Sequence, residues 1–190
     1  MPSKINQSWL KQYFELYKKP LFDESVFSQL LELKHCLQET HKNGKKTMIL
    51  GNGGSAAIAS HVAVDFSKNA KVRIVNFNEA DLITCLANDY GYENWMSKAI
   101  GIYGDKGDQV ILISSSGKSP NVVNASMLAK ESGNKVITFT GFDCDNPLKR
   151  SGDLNFWVDS RAYNIVEMIH QIWLLAVCDA VIGVAEYPAS

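Results

Sequence analysis

The stretch Lys46–Phe66, KTMILGNGGSAAIASHVAVDF, decides the fold. A short apolar run ends at Leu50, three glycines follow within four positions, and Ser55 opens a small-residue segment with helical spacing. That order reads as strand, glycine turn and helix start: Gly51, Gly53 and Gly54 can take backbone angles closed to other residues, and the first helical N–H groups are left without partners in the chain. Four more runs of the same kind follow: VRIVNF (72–77), QVILISS (109–115), KVITFTG (135–141) and LNFWVD (154–159). Their hydrophobicity is nearly continuous rather than alternating, as parallel strands covered on both faces require. Segments with helical spacing separate them, at Ala56–Ser67, Glu79–Ala87, Ser119–Ser132 and Asn164–Gly183. The expectation is a three-layer α/β/α domain on a doubly wound, five-stranded parallel sheet over residues 46–190.

Residues 1–45 read differently. NQSWLKQYFELYKK and DESVFSQLLELKHCLQETHKNGKK have helical spacing, with a break expected at Pro20. Trp9, Leu10, Tyr13, Phe14 and Tyr17 form a stripe more aromatic than a solvent-facing helix needs, so this extension is expected to dock on another subunit.

The 190 residues carry 19 basic and 20 acidic side chains, a formal charge of -1, so no field draws the chain onto nucleic acid or an anionic membrane. Cys36, Cys85, Cys144 and Cys178 are widely spaced with no CxxC pair, which excludes a zinc knuckle or a disulfide scaffold and predicts buried thiols. MPSKINQSWLKQYFELY contains no secretory pattern, and the apolar stretch from Ile172 to Ala185 is interrupted by Asp179 and shorter than the roughly 20 residues that span a bilayer. A cytoplasmic protein with no membrane contact is expected.

In a doubly wound sheet ligands bind beyond the carboxyl ends of the strands. Gly51–Ala56 does match the G-x-G-x-x-G/A pattern of dinucleotide sites, but the acid expected about 20 residues later is replaced by Asn76 and Asn78, so no nucleotide cofactor is expected. The second loop, ILISSSGKSPNVVNA, gathers Ser114, Ser115, Ser116 and Ser119 around Gly117 before a helix. Gly117-Lys118-Ser119 is not a triphosphate loop, because the first glycine of that motif would fall at Leu112, inside the strand. Clustered hydroxyls at a helix start suit a single phosphate, while helix capping accounts for only one of them. On the helix after the glycine loop, His61 and Asp65 are four apart and share a face.

These features occur in one order: GNGGSAAIASH with VAVDF, then ANDYGYEN, ISSSGKSPNVVNA and KVITFTG. From about Lys46 to the end the chain resembles the phosphoheptose isomerases of the sugar isomerase (SIS) family, which interconvert sedoheptulose 7-phosphate and glycero-manno-heptose 7-phosphate. The resemblance implies that Ser114, Ser115, Ser116 and Ser119 grip the phosphate, that Asn52, Gly53 and Ser55 line the sugar pocket, and that Asp89 adds an acid. It also implies a homotetramer whose N-terminal helices pack together. In that family a zinc ion is held by a histidine and a glutamate on the helix after the glycine loop, and by a glutamine and a histidine on the last helix. Here His61 matches the first, Asp65 replaces the glutamate, Glu167 aligns with the glutamine, His170 follows, and Leu175 stands where the second histidine is expected; Asn164 replaces an acid.

Two accounts stay open on these residues. In one, His61, Asp65 and Glu167 hold a divalent ion, zinc by resemblance, with Asp65 or Glu167 as base and His170 as proton donor. In the other the chain binds a sugar phosphate without turning it over, as a regulator resembling the replication-initiator-associating SIS protein. The retention of His61, Asp65, Glu167 and His170, all titratable, favours the enzyme.

Overall fold

The apolar runs become strands because side chains alternate across a sheet covered on both sides. In a computed structural model describing residues 5–187, Met48, Leu50, Val110, Leu112 and Val136 point to one layer, and Ile49, Ile111, Ile113, Ile137 and Phe139 to the other; all are buried. The chain runs α1 (Gln7–Leu21), a 3-10 turn (Glu24–Val26), α2 (Phe27–Lys42), β1 (Thr47–Gly51), α3 (Gly54–Lys68), β2 (Ile74–Val75), α4 (Ala80–Tyr90) and α5 (Trp95–Tyr103). It continues with β3 (Gln109–Ser114), α6 (Pro120–Glu131), β4 (Lys135–Thr140), α7 (Pro147–Ser151), β5 (Leu154–Trp157) and α8 (Tyr163–Ile182).

All strand pairs are parallel, in the order β2-β1-β3-β4-β5. Strand order reverses between β1 and β3, which run side by side from Thr47↔Gln109 to Gly51↔Ile113. The glycine turn and the serine turn therefore open next to each other at the switch point, where such sheets bind ligands. One outer layer is α2, α3 and α8; α4, α5, α6 and α7 cover the opposite face.

Several sequence expectations are corrected. β2, at one edge of the sheet, pairs only through Ile74 and Val75. The two short helices α5 and α7 were not anticipated. The N-terminal break comes at Phe22–Asp23, since α1 carries Pro20 in its last turn. Residue 45 is not a packing boundary: Leu33 and Leu37 of α2 are fully buried against the main core, while α1 and the 3-10 turn have no buried residue. Of the cysteines only Cys178 is buried; Cys85 and Cys144 are exposed and all four are free.

Candidate active site

The glycine and serine turns enclose a pocket of about 280 Å³ lined by Asn52, Gly53, Gly54, Ser55, Ser114, Ser115, Ser116, Ser119, Tyr163 and Glu167. Every phosphate- and sugar-loop residue expected from the sequence faces it except Asp89, which lies on the exposed end of α4, bonded to Asn88. From that segment it is the Tyr92 hydroxyl that reaches the loops, donating to Asn52 Oδ1 at 3.2 Å.

The serine turn is built to receive an anion. Ser119 is the N-cap of α6, yet its hydroxyl makes no capping bond and turns to Ser114 Oγ at 3.4 Å. Ser114 Oγ accepts from Gly117 N and Ser116 Oγ from Lys118 N, both at 3.2 Å. Ser115 is only 4% exposed and its hydroxyl has no partner, although buried polar atoms are nearly always bonded. An anion at the start of α6 would supply that partner and meet the helix dipole. Lys118 is engaged elsewhere: its ammonium lies 2.5 Å from Asp143, as does the Arg161 guanidinium. The Lys118 hydrogen bond and charge, with Arg161 behind them, hold the Asp143 carboxyl below its ordinary range. The phosphate site is left to neutral donors.

Facing this turn, α8 contributes Glu167. Its carboxylate lies so close to Gly54, the first residue of α3, that any β-carbon at position 54 would overlap it. Among the described residues Glu167 has no hydrogen-bond or ion-pair partner, and desolvation raises its pKa above the usual carboxylate value. An unpaired carboxylate at a pocket wall, with a raised pKa, is a group able to take and return a proton.

The other polar residues of α3 and α8 go elsewhere. His61 lies seven residues beyond Gly54, roughly 10 Å along the helix, and neither it nor Asp65 lines the pocket. His61 Nε2 is 3.1 Å from Asp65 Oδ2, and His61 Nδ1 is 3.3 Å from the amide of Gln171. The glutamine beside the α3 histidine is thus Gln171, and Glu167, one turn earlier, meets Gly54 instead. This corrects the expected ligand set. His61, Asp65 and Glu167 do not converge, and among the described residues no three histidine, cysteine, aspartate or glutamate side chains are placed to hold a metal ion. The histidine, carboxylate and glutamine that do converge are His61, Asp65 and Gln171, with one ring nitrogen of His61 facing Asp65 and the other Gln171.

The assignment of His170 as proton donor is also corrected. It is completely buried, edge-on to Phe139, with Nε2 donating to the Thr140 carbonyl at 3.0 Å and Nδ1 unpartnered. Burial lowers its pKa to about 4, against a small opposing effect from that bond, so it is neutral and sealed from the pocket.

Sequence reasoning missed Gln171, Tyr163, Tyr92 and Asn121. Asn121 and Asn52 exchange two amide hydrogen bonds, each 2.9 Å, between the two turns.

Comparison with known proteins agrees with this architecture. The SIS domain pattern matches residues 21–141. The phosphoheptose isomerase of Fusobacterium nucleatum is 33% identical over 176 residues, 90% of each chain. That of Helicobacter pylori strain P12 is 34% identical over 173 residues, 88% of each. Among solved structures, a phosphoheptose isomerase from Neisseria gonorrhoeae superposes with a TM-score of 0.84 at 26% identity, covering 94% of this chain and 99% of that one. One from Francisella tularensis, at 22% identity and TM-score 0.85, shares the fold over 94% of this chain and 98% of its own. The chain belongs to the SIS domain family and, within it, to the phosphoheptose isomerases.

Proposed function

We propose that the chain is a ketose–aldose isomerase that interconverts sedoheptulose 7-phosphate and a glycero-manno-heptose 7-phosphate. The single observation that carries the mechanism is the presence, in one pocket, of an unpartnered Ser115 hydroxyl in the serine turn and an unpaired Glu167 carboxylate across from it. The serine turn takes the phosphate at one end of the open-chain sugar, so the carbonyl end lies toward Gly54 and Glu167. Glu167 removes the proton from C1. The C1–H electron pair becomes the C1=C2 bond, and the carbonyl π pair moves onto O2 as an enediolate. Return of the proton to C2, with movement of the hydroxyl proton from O1 to O2, gives the aldose. Glu167, perched at the start of α3, takes over the base role that the sequence shared with Asp65, and His170 has none. No step is assigned to a metal; were one bound, His61, Asp65 and Gln171, which meet between α3 and α8, would be the residues to hold it.

The assembly expected from the sequence has support in the exposed apolar side chains of α1, α2 and α8: Phe14, Phe27, Leu31, Met168 and Ile172 are all more than two-fifths exposed. α8 is long and apolar enough to cross a bilayer, with mean hydropathy 1.8, but 44% of it is buried as a core helix. We read its uncovered side as a subunit contact in a homotetramer.

The test is NMR of the purified protein with sedoheptulose 7-phosphate in deuterated water. Deuterium entering beside the carbonyl, together with aldose product, supports the isomerase. Binding shifts with no exchange would instead favour the sugar-phosphate-binding regulator.

A further inference from the structure

The amide pair between the two turns fixes more than their spacing. Asn121 is 2% exposed, and its Oδ1 accepts from Val122 N at 3.1 Å as well as from Asn52 Nδ2 at 2.9 Å. A backbone N–H can only donate, so the Asn121 amide cannot be turned over without setting two donors face to face. Its Nδ2 must therefore face Asn52 Oδ1, 2.9 Å away. Asn52 Oδ1 receives a second hydrogen bond, from the Tyr92 hydroxyl at 3.2 Å. An amide oxygen has two lone pairs, and both are taken. Asn52 Nδ2 has two hydrogens, of which Asn121 uses one. Asn52, at the pocket wall, is left with one N–H to give and nothing with which to accept.

We propose that Asn121 and Tyr92 are positioning residues that hold Asn52 as a donor-only amide, and that its remaining N–H bonds the sugar oxygen that gains negative charge in the enediolate. This rests on the isomerase reading and assigns to that reaction its oxyanion donor. An amide free to rotate would present its oxygen to the sugar half of the time and repel the developing charge. The lock makes the donor permanent before substrate arrives, which is how a neutral group contributes most to charge stabilisation.

The test compares three ligands on the full-length protein: the hydroxamate analogue of the sugar phosphate, which mimics the enediolate; heptitol 7-phosphate, which has no carbonyl; and inorganic phosphate. The variants are Asn52→Ala, Asn121→Leu and, on the exposed Tyr92 where folding is not at stake, Tyr92→Phe. Asn121→Leu keeps the size, adds no charge beside the phosphate and leaves Val122 N its bond to the Ser119 carbonyl, but cannot donate to Asn52. The expected result is hydroxamate binding weakened by about 100-fold for Asn52→Ala, the range for loss of one oxyanion donor, and by roughly tenfold for Asn121→Leu and severalfold for Tyr92→Phe. Heptitol phosphate and inorganic phosphate are expected to bind unchanged, and kcat to fall with little change in KM. Equal weakening of all three ligands would make the pair a merely structural brace and overturn the proposal, as would unchanged hydroxamate binding in Tyr92→Phe and Asn52→Ala. Wild-type turnover with unaffected variants overturns this inference alone. A wild-type protein that shows no turnover and no preference for the hydroxamate overturns the isomerase reading and this inference with it.

Discussion

The Glu167 carboxylate lies directly against Gly54, in space that a β-carbon at position 54 would fill. One residue from the last helix thereby reaches the start of α3, at the side of the pocket facing the serine turn.

Glu167→Gln is expected to lower kcat by about 10²–10⁴, the usual contribution of a positioned base. Because the folded pKa of Glu167 is raised, the folded chain holds its proton to higher pH than the unfolded chain, and the charge destabilises the fold above that pH. Glu167→Gln is therefore expected to melt higher than wild type at neutral pH, with the gain vanishing near pH 4. Melting curves at both pH values and a turnover assay check it. In the wild type the acid limb of the rate profile is expected above the ordinary glutamate pKa, with activity rising with pH.

Replacing Ser115 or Ser119 by alanine removes a hydroxyl offered to the phosphate. Each hydrogen bond to a charged group is worth roughly 1.5–3 kcal/mol, so each variant is expected to bind sugar phosphate and inorganic phosphate about tenfold or more weakly. Calorimetry with both ligands checks it; unchanged phosphate affinity would move the anion site elsewhere.

Burial of neutral His170 makes an acid-sensitive core. Its pKa is about 4 in the fold and 6.5 in the unfolded chain, so stability is full above pH 6.5 and is lost as pH falls toward 4, by at most about 3 kcal/mol. His170→Leu is expected to flatten that part of the profile while losing roughly 1–3 kcal/mol at pH 7, because the Thr140 carbonyl loses its donor. Denaturant titrations at pH 5 and pH 7 measure both effects.

Removing residues 1–20 is expected to dissociate or aggregate the protein, since α1 has no buried residue within its own subunit. Light scattering decides: an unchanged mass would mean that α1 serves only its own subunit.

The strands and the two turns were legible because they depend on local chemistry: continuous apolar runs, and glycine or serine at a helix start. α8 shows where such reasoning stops. From Glu167, three residues to His170 rotate about 300° and four to Gln171 about 400°. The two miss a full turn by similar angles on opposite sides, and only the sheet decides that His170 points into the core while Gln171 faces α3. A one-dimensional pattern assigns both to the same stripe. Aligned with the family, Glu167 took the place of a metal ligand, whereas its neighbour Gly54 shows it facing the pocket. Asn121 and Tyr92 act on Asn52 across 69 and 40 positions, beyond any local signal. Asp89, the more conspicuous residue of its segment, stays outside.

That long separation also links the site to folding. Since the Asn52–Asn121 pair closes only when β1 and β3 are in register, the pocket does not exist in any partly folded chain that has yet to form this pairing. Closing such a loop is an entropic cost met late in assembly. A sugar phosphate would bind the finished fold alone and stabilise it by mass action, by about 2.7 kcal/mol at a hundred times its dissociation constant. The supply of substrate in a cell would then set how long the enzyme survives as well as how fast it works.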